Sequence, residues 1–236
     1  MKPKYKRVLL KLSGEGLMGE RQFGMDERVI HSLAEQIKKV YDLGVEVCVV
    51  VGGGNIFRGA KEASKGLNRS VADQVGMLAT VMNALYLQNA IEKCGIPARV
   101  LSGMSIPSVC ENYIYRRALR HLEKKRVIIF AGGTGNPYFT TDTGAALRAS
   151  EMGCDVLLKA TQVDGVYSAD PKKDAKAVRF EQVSYDEVIH KELKVMDLTA
   201  VALAKENKVP IVVFAQKGKD ALLNAVCGKG SFTIIK

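Results

Sequence analysis

The sequence predicts an α/β fold, a mainly parallel central sheet with helices on both faces. Two observations carry that expectation. Short apolar, strand-like runs alternate with helix-like segments along the whole chain, the pattern of repeated βαβ units. Three of the apolar runs also end in glycine turns: Val8-Leu9-Leu10 before Ser13-Gly14, Val45 to Val51 before Gly52-Gly53-Gly54, and Val127 to Phe130 before Gly132-Gly133-Thr134-Gly135. Glycine after a strand lets the backbone come close to a ligand, and the N–H groups opening the next helix favour an anion. Three such turns in one sheet predict a single crevice at the carboxyl ends of parallel strands, with several phosphates in it.

The elements follow in order. Tyr5 to Leu12 is a strand. Asp26 to Leu43 carries apolar residues at Val29, Ile30, Leu33, Ile37, Val40 and Tyr41, a helical stripe that Gly44 ends. Val45 to Val51 is a valine-rich run with Glu46 and Cys48 between its valines, as in a strand buried on both faces. Val71 to Lys93 is a helix stopped by Gly95 and Pro97. Ala98 to Ser102 and Arg126 to Phe130 are strands flanking a helix near Tyr113 to Lys124. A helix over Asp142 to Met152 leads to a strand at Val156 to Ala160. Thr161 to Lys176 is polar, with Asp164-Gly165 and Asp170-Pro171 as turn signals. Ser184-x-x-Glu187 is a capping box for a helix to Leu193. Met196 to Asn207 is a helix, Pro210 to Phe214 a strand, Asp220 to Cys227 a short helix, and Ser231 to Ile235 an edge strand. No linker or repeat divides the chain, so one domain over residues 1–236 is expected.

Composition narrows the function. The chain has 236 residues, 47% of them hydrophobic, enough for one large core. Its longest apolar stretches are about seven or eight residues, against the roughly 20 that span a bilayer. The run after Lys2, Lys4, Lys6 and Arg7 is too short for a signal peptide. Five dispersed cysteines without a Cys-x-x-Cys read as reduced thiols in a cytoplasmic protein. The net charge of +10 raises the question of nucleic acid, but the basic residues are scattered and no aromatic RNA-binding signature accompanies them. Small polyanionic substrates explain the charge as well.

Lys11 stands out, because it interrupts Val8-Leu9-Leu10-Lys11-Leu12 just before a glycine turn. A buried strand rarely carries an unpaired ammonium, and a phosphate supplies the partner. Lys159, at the end of Val156-Leu157-Leu158, reads the same way. Two lysines converging from strand ends can neutralise a moving phosphoryl group. Arg58, past the triple glycine, adds a planar fork for phosphate. Thr140, Thr141 and Asp142 open a helix, where cap and catalyst look alike; Asp73 and Asp197 also read as helix-start charges or as site residues. Gly14-Glu15-Gly16-Leu17-Met18-Gly19 has dinucleotide-fingerprint spacing, but no helix opens inside it, so it is read as accidental. His31, His121 and His190 are far apart in helical segments and are read as surface or structural.

These motifs together resemble the bacterial uridylate kinases of the amino-acid kinase superfamily. The resemblance covers nearly the whole chain. It rests on Lys11-Leu-Ser-Gly14-Glu15, Gly52-Gly-Gly-Asn-Ile-Phe-Arg58-Gly59, Gly76-Met-Leu-Ala-Thr-Val-Met-Asn83, Gly133-Thr-Gly-Asn-Pro-Tyr-Phe-Thr-Thr-Asp142, Lys159-Ala-Thr161, Val163-Asp-Gly-Val-Tyr167, Ala169-Asp-Pro171 and Lys194-Val-Met-Asp197. Gly16 stands where the family often has alanine, and Gln162 where it often has a basic or amide residue. The resemblance implies a three-layer α/β/α sandwich, ATP-dependent phosphorylation of UMP to UDP in pyrimidine nucleotide biosynthesis, Mg²⁺ with the ATP, and a cytoplasmic homohexamer activated by GTP and inhibited by UTP. It implies ATP contacts at Lys11, Leu12, Ser13, Gly14, Gly54, Arg58, Thr161, Tyr167 and Asp170. It implies UMP contacts at Gly53, Asp73, Thr134, Gly135, Asn136, Pro137, Tyr138, Phe139, Thr140 and Thr141. Lys11 and Lys159 then act on the phosphoryl group, with Asp142 and Asp197 holding them. The resemblance places GTP at Gly19, Glu20, Arg21, Gln22, Phe23 and Gly24; beside it, the basic residues Arg116, Arg117 and Arg120 are read from the sequence as a further source of charge, from the same or a neighbouring subunit. No protein ligand of the metal is implied. Two other readings stay open at this level: a relative phosphorylating a carboxylate or carbamate, and a nucleotide sensor that binds DNA.

Overall fold

A computed structural model describes residues 1–58, 66–171, 173–174 and 176–236. Gly59, which closes the glycine–arginine motif, lies outside the described residues. Among the described residues nine strands form one sheet: β1 (Arg7–Leu12), β2 (Glu46–Val51), β3 (Ala98–Ser102), β4 (Glu111–Asn112), β5 (Val127–Ala131), β6 (Val156–Thr161), β7 (Gln182–Val183), β8 (Ile211–Ala215) and β9 (Phe232–Ile235). Their order is β4-β3-β5-β2-β1-β6-β8-β9-β7. The pairs from β4 to β8 are parallel, and β9 enters antiparallel to β8. β9 is not the edge expected of it, because β7 pairs along its outer side. A two-residue strand inside a polar stretch carries no alternation by which it could be read.

The α-helices among the described residues are α1 (Glu27–Asp42), α2 (Arg69–Lys93), α3 (Tyr115–Glu123), α4 (Thr141–Glu151), α5 (Tyr185–His190), α6 (Leu198–Glu206) and α7 (Ala221–Val226). Alternation along the strands splits the core in two. Val8, Leu10 and Leu12 of β1 pack with Ile37 of α1, Leu87 of α2 and Val226 of α7. Leu9 of the same strand faces the other layer, with Leu122 of α3, Ala146 of α4, Val188 of α5 and Val201 of α6. The result is an α/β/α sandwich.

Side-chain caps set several helix starts, as short polar residues do by accepting orphan N–H groups. Asp26 accepts from Arg28 N, Asn68 from Ser70 N, Thr140 from Asp142 N, Ser184 from Glu187 N and Asp197 from Ala200 N. Asn68, not Asp73, therefore starts α2, and Asp73 stands a full turn inside it.

From β1 the chain crosses through α1 to β2 on one side, while from β6 it runs through the other helical layer to β8 on the opposite side. The carboxyl ends of β1 and β6 thus flank a topological switch point, where open α/β sheets hold their ligands.

Candidate active site

Lys11 and Lys159 are register partners on β1 and β6. Strand alternation turns both toward the α4 layer, opposite Leu10 and Leu158. Asp142, in the first turn of α4, lies between them. Its Oδ1 is 2.6 Å from Lys11 Nζ, and its Oδ2 accepts a 2.6 Å hydrogen bond from Lys159 Nζ. The Lys11 contact is ionic without the angle of a hydrogen bond, so Oδ1 is left with no donor of its own. All three side chains are largely out of solvent, at 8%, 11% and 14% exposure. Two ammoniums sharing one carboxylate leave one net positive charge at the switch point.

Burial opposes the charge on Asp142, but the two lysines outweigh it and hold the carboxyl below its ordinary value. Its contribution to stability is therefore present above the usual carboxylate range and lost as pH falls through the lowered native value. Burial pulls Lys159 below the ordinary lysine value, and Lys11 adds to that pull while Asp142 opposes it. For this group the unfolded chain binds more protons between the two values, so its contribution to stability rises with pH there. Its charge is lost over the same interval. The alkaline limb of kcat/KM for ATP, which reports the free enzyme, should then begin below lysine's ordinary 10.5. Lys159→Arg should move that limb upward; a limb unchanged by the substitution would assign it to another group.

Asp197 makes no ion pair with either lysine among the described residues. It caps α6 and accepts from Thr143 Oγ1 at 2.9 Å and from Thr140 Oγ1. Asp197 thus bridges the starts of α4 and α6, and its charge still reaches Lys159 and favours the protonated ammonium.

Two cavities flank this centre. The larger, about 660 Å³, is lined by Lys159, Thr161, Tyr167, Asp170 and the 191–195 turn. The smaller, about 150 Å³, is lined by Gly53, Gly54, Asp73, Thr134, Phe139, Thr140 and Thr141. Gly135, Asn136 and Pro137 are in the same loop but outside that lining. Asp73 accepts from Arg69 Nε and from Tyr138 N, both at 2.8 Å. Tyr138 is held at φ 71°, a left-handed conformation that costs a tyrosine energy and clusters at functional loops. The first two glycine turns touch: a Cβ on Gly14 would stand 2.5 Å from Asn55 Oδ1 and 2.6 Å from Gly54 N. Arg58 donates to Gly54 O at 3.2 Å and pairs with Glu15 at 2.6 Å.

The profile of the Amino acid kinase family matches residues 6–215. The chain belongs to this family. Among its relatives, the uridylate kinase of Paramagnetospirillum magneticum is 62% identical over 98% of this chain and 97% of that protein. The uridylate kinase of Hyphomonas neptunium is 58% identical over 99% and 93%. The crystal structure of UMP kinase from Ureaplasma parvum superposes with a TM-score of 0.94 at 36% identity, covering 99% of both chains.

Within this amino acid kinase fold the expected effector turn takes a definite place. Gly24 N donates to Asn55 O, and Asn55 Nδ2 donates to Gly24 O, both at 2.9 Å. The 19–24 turn is therefore tied to the glycine turn at the site. Arg21 is exposed and donates to Met25 O. α3 packs in the opposite layer, and its Arg117 and Arg120 pair with Glu111 and Glu123. One subunit does not bring those arginines to Arg21. His121 is buried between Glu111 and Arg126, a structural place.

Several residues of the motifs received no role from the sequence. Asn55 and Asn83 exchange amide hydrogen bonds of 3.0 and 2.7 Å, and Asn83 also donates to Gly52 O. Thr80 accepts from Gly132 N at 2.7 Å. These buried side chains fasten α2 to the second and third glycine turns. For Thr80 and Asn83 the sequence signal is a polar residue at a helical position that an apolar one would otherwise fill.

Proposed function

We propose that this chain is a uridylate kinase, moving the γ-phosphoryl group of ATP to UMP. A phosphate oxygen of UMP forms the new bond to the γ-phosphorus, the β–γ bridging bond breaks, and ADP and UDP leave. The observation that carries this reading is the Lys11–Asp142–Lys159 cluster between two unequal cavities. Phosphoryl transfer is mainly positioning and charge stabilisation, and the attacking phosphate oxygen is already ionised, so no strong general base is required. ATP is assigned to the larger cavity, with Thr161, Tyr167 and Asp170 lining it on the base side; its phosphates are assigned to Leu12, Ser13, Gly14 and Arg58, outside that lining, and to Gly54, at the edge of the smaller cavity. UMP is assigned to the smaller one, with Gly53, Asp73 and the 134–141 loop.

A coupled ADP-release assay with UMP, CMP, aspartate and glutamate tests the assignment: UMP should be the preferred acceptor, and turnover with aspartate or glutamate in its place would replace it. Asp73→Asn should raise the KM for UMP by roughly tenfold, the scale of one charge-assisted contact, with a much smaller change for ATP. Equal changes in both, or a lowered melting temperature alone, would make Asp73 a loop fastener and nothing more.

Mg²⁺ is read as arriving with ATP. Asp142 is engaged by the lysines and Asp197 by threonines, and the described residues contain no group of three metal-ligating side chains. No step is assigned to the metal. The proposal extends to one domain over residues 1–236, a cytoplasmic setting, a place in pyrimidine nucleotide biosynthesis, and a homohexamer. An exposed apolar stripe at Val71, Val75, Leu78, Met82 and Tyr86 of α2 supports self-association. None of the helices among the described residues is long and apolar enough to cross a membrane.

Regulation by GTP and UTP is part of the same reading. The 19–24 turn is joined through Asn55 to the phosphate turns, a physical route between effector and site. Arg21→Ala should raise the GTP midpoint by roughly tenfold, the scale of one charge-assisted contact, while turnover at saturating ATP and UMP stays near the original. An unchanged GTP midpoint would remove Arg21 from the effector site.

A further inference from the structure

Gly16 follows the Ser13–Gly14 turn, yet its backbone is not in the left-handed region that demands glycine. The space a side chain would need is instead taken by the end of another residue's side chain. A Cβ at Gly16 would stand 2.3 Å from Gln216 Oε1 and 3.2 Å from Ser13 Oγ. Gln216 comes 200 residues later, just past β8. Its backbone N donates to Thr161 O at 2.8 Å, and its side-chain Nε2 donates to Gly16 O at 3.1 Å. Gly16 N donates back to both Ser13 O and Ser13 Oγ at 3.1 Å. One residue thus connects the end of β6, where Thr161 lies, with the turn that carries Ser13 and Gly14. Gln216 Oε1 is buried without a donor, so the amide is kept in place by its single bond to Gly16 O and by the missing side chain beneath it.

We propose that Gln216 is a positioning residue for the nucleotide phosphates, seated on Gly16, and that the two positions work as a pair. The Ser13–Gly14 turn must present its N–H groups at a fixed distance from the base-side strand for one triphosphate to reach both. An untethered turn has to be ordered each time ATP binds, and a tethered one has that cost met in advance. The pairing also accounts for the glycine: any larger residue at 16 displaces the amide and frees the turn.

The inference rests on the ATP reading above, and four proteins test it: the original, Gln216→Met, Gly16→Ala and Gly16→Ala/Gln216→Ala. Methionine keeps the length of glutamine but donates nothing. Gln216→Met and Gly16→Ala should each raise the KM for ATP by ~5–10-fold, the worth of one net hydrogen bond, with kcat and the KM for UMP changed less than about 2-fold. The double variant should be no worse for ATP than the more impaired single variant, because the clash has been removed with the amide. Multiplying effects, or an ATP KM untouched by Gln216→Met, would overturn the pairing. Equal losses for ATP and UMP with lowered melting temperatures would reduce Gln216 to a structural contact. Should the original protein fail to phosphorylate UMP, the functional reading falls by itself, and the same four proteins compared by ATP-binding calorimetry still decide the pair. Absence of ATP binding altogether overturns both.

Discussion

Lys11→Met is expected to lower kcat by at least about 10², the loss seen when one preorganised charge contact to a transition state is removed. Methionine preserves the stem that packs beside Leu9 but not the ammonium 2.6 Å from Asp142. The effect should fall on kcat more than on either KM, because the charge is needed most as the phosphoryl group moves between oxygens. Lys159→Met should behave alike, and the double variant should lose less than the product of the two, since both lysines act on one group through one carboxylate. Near-normal turnover in Lys11→Met would remove the central claim of the proposed mechanism.

The second large effect concerns Asp142. Asp142→Asn leaves two neighbouring ammoniums, both largely buried, without a counter-charge. Breaking a buried pair in this way costs about 3–5 kcal/mol, equivalent to a fall of roughly 6–20 °C in Tm for a chain of this size. The loss should be partly recovered by raising the pH, because burial already favours neutral Lys159, and by added ATP, whose phosphates replace the missing carboxylate. A variant that melts with the original protein at neutral pH and without nucleotide would mean that Asp142 does not compensate the lysines. Activity should fall as well, since the lysines lose the group that aims them.

Much of this site was legible because its residues violate local expectation. Lys11 interrupts an apolar strand, and three glycines after Val51 make little sense except as close approach. The fold followed from Val47–Val51 and Val127–Phe130, whose uninterrupted apolar character belongs to strands covered on both faces. β4 and β7 were illegible because two residues cannot display a period. Helix-start acids were ambiguous for a different reason: Asp142 and Asp197 satisfy the same local rule. Tertiary contacts separate them, since Thr140 takes the capping role at α4 and frees Asp142 for the lysines, whereas Asp197 caps α6 itself. Gln216 and Asn83 had no legible role, because each acts on a turn that only folding brings to it.

The opposition of Lys11 and Lys159 across β1 and β6 also bears on how the chain finds its fold. Side chains on a strand change faces with every residue, so a slip of β6 by a single position against β1 carries Lys159 out of the α4 layer. It would then enter the layer of α1 and α7, where the core residues opposite are apolar, away from Asp142. Such a misalignment buries a lone ammonium, a penalty far larger than any gained by an alternative fit of valines and leucines. Parallel strands of near-uniform apolar composition have little else to distinguish one alignment from the next. The charged trio therefore serves as a proofreading mark in assembly, and a chain stripped of it should admit more wrong pairings while it folds.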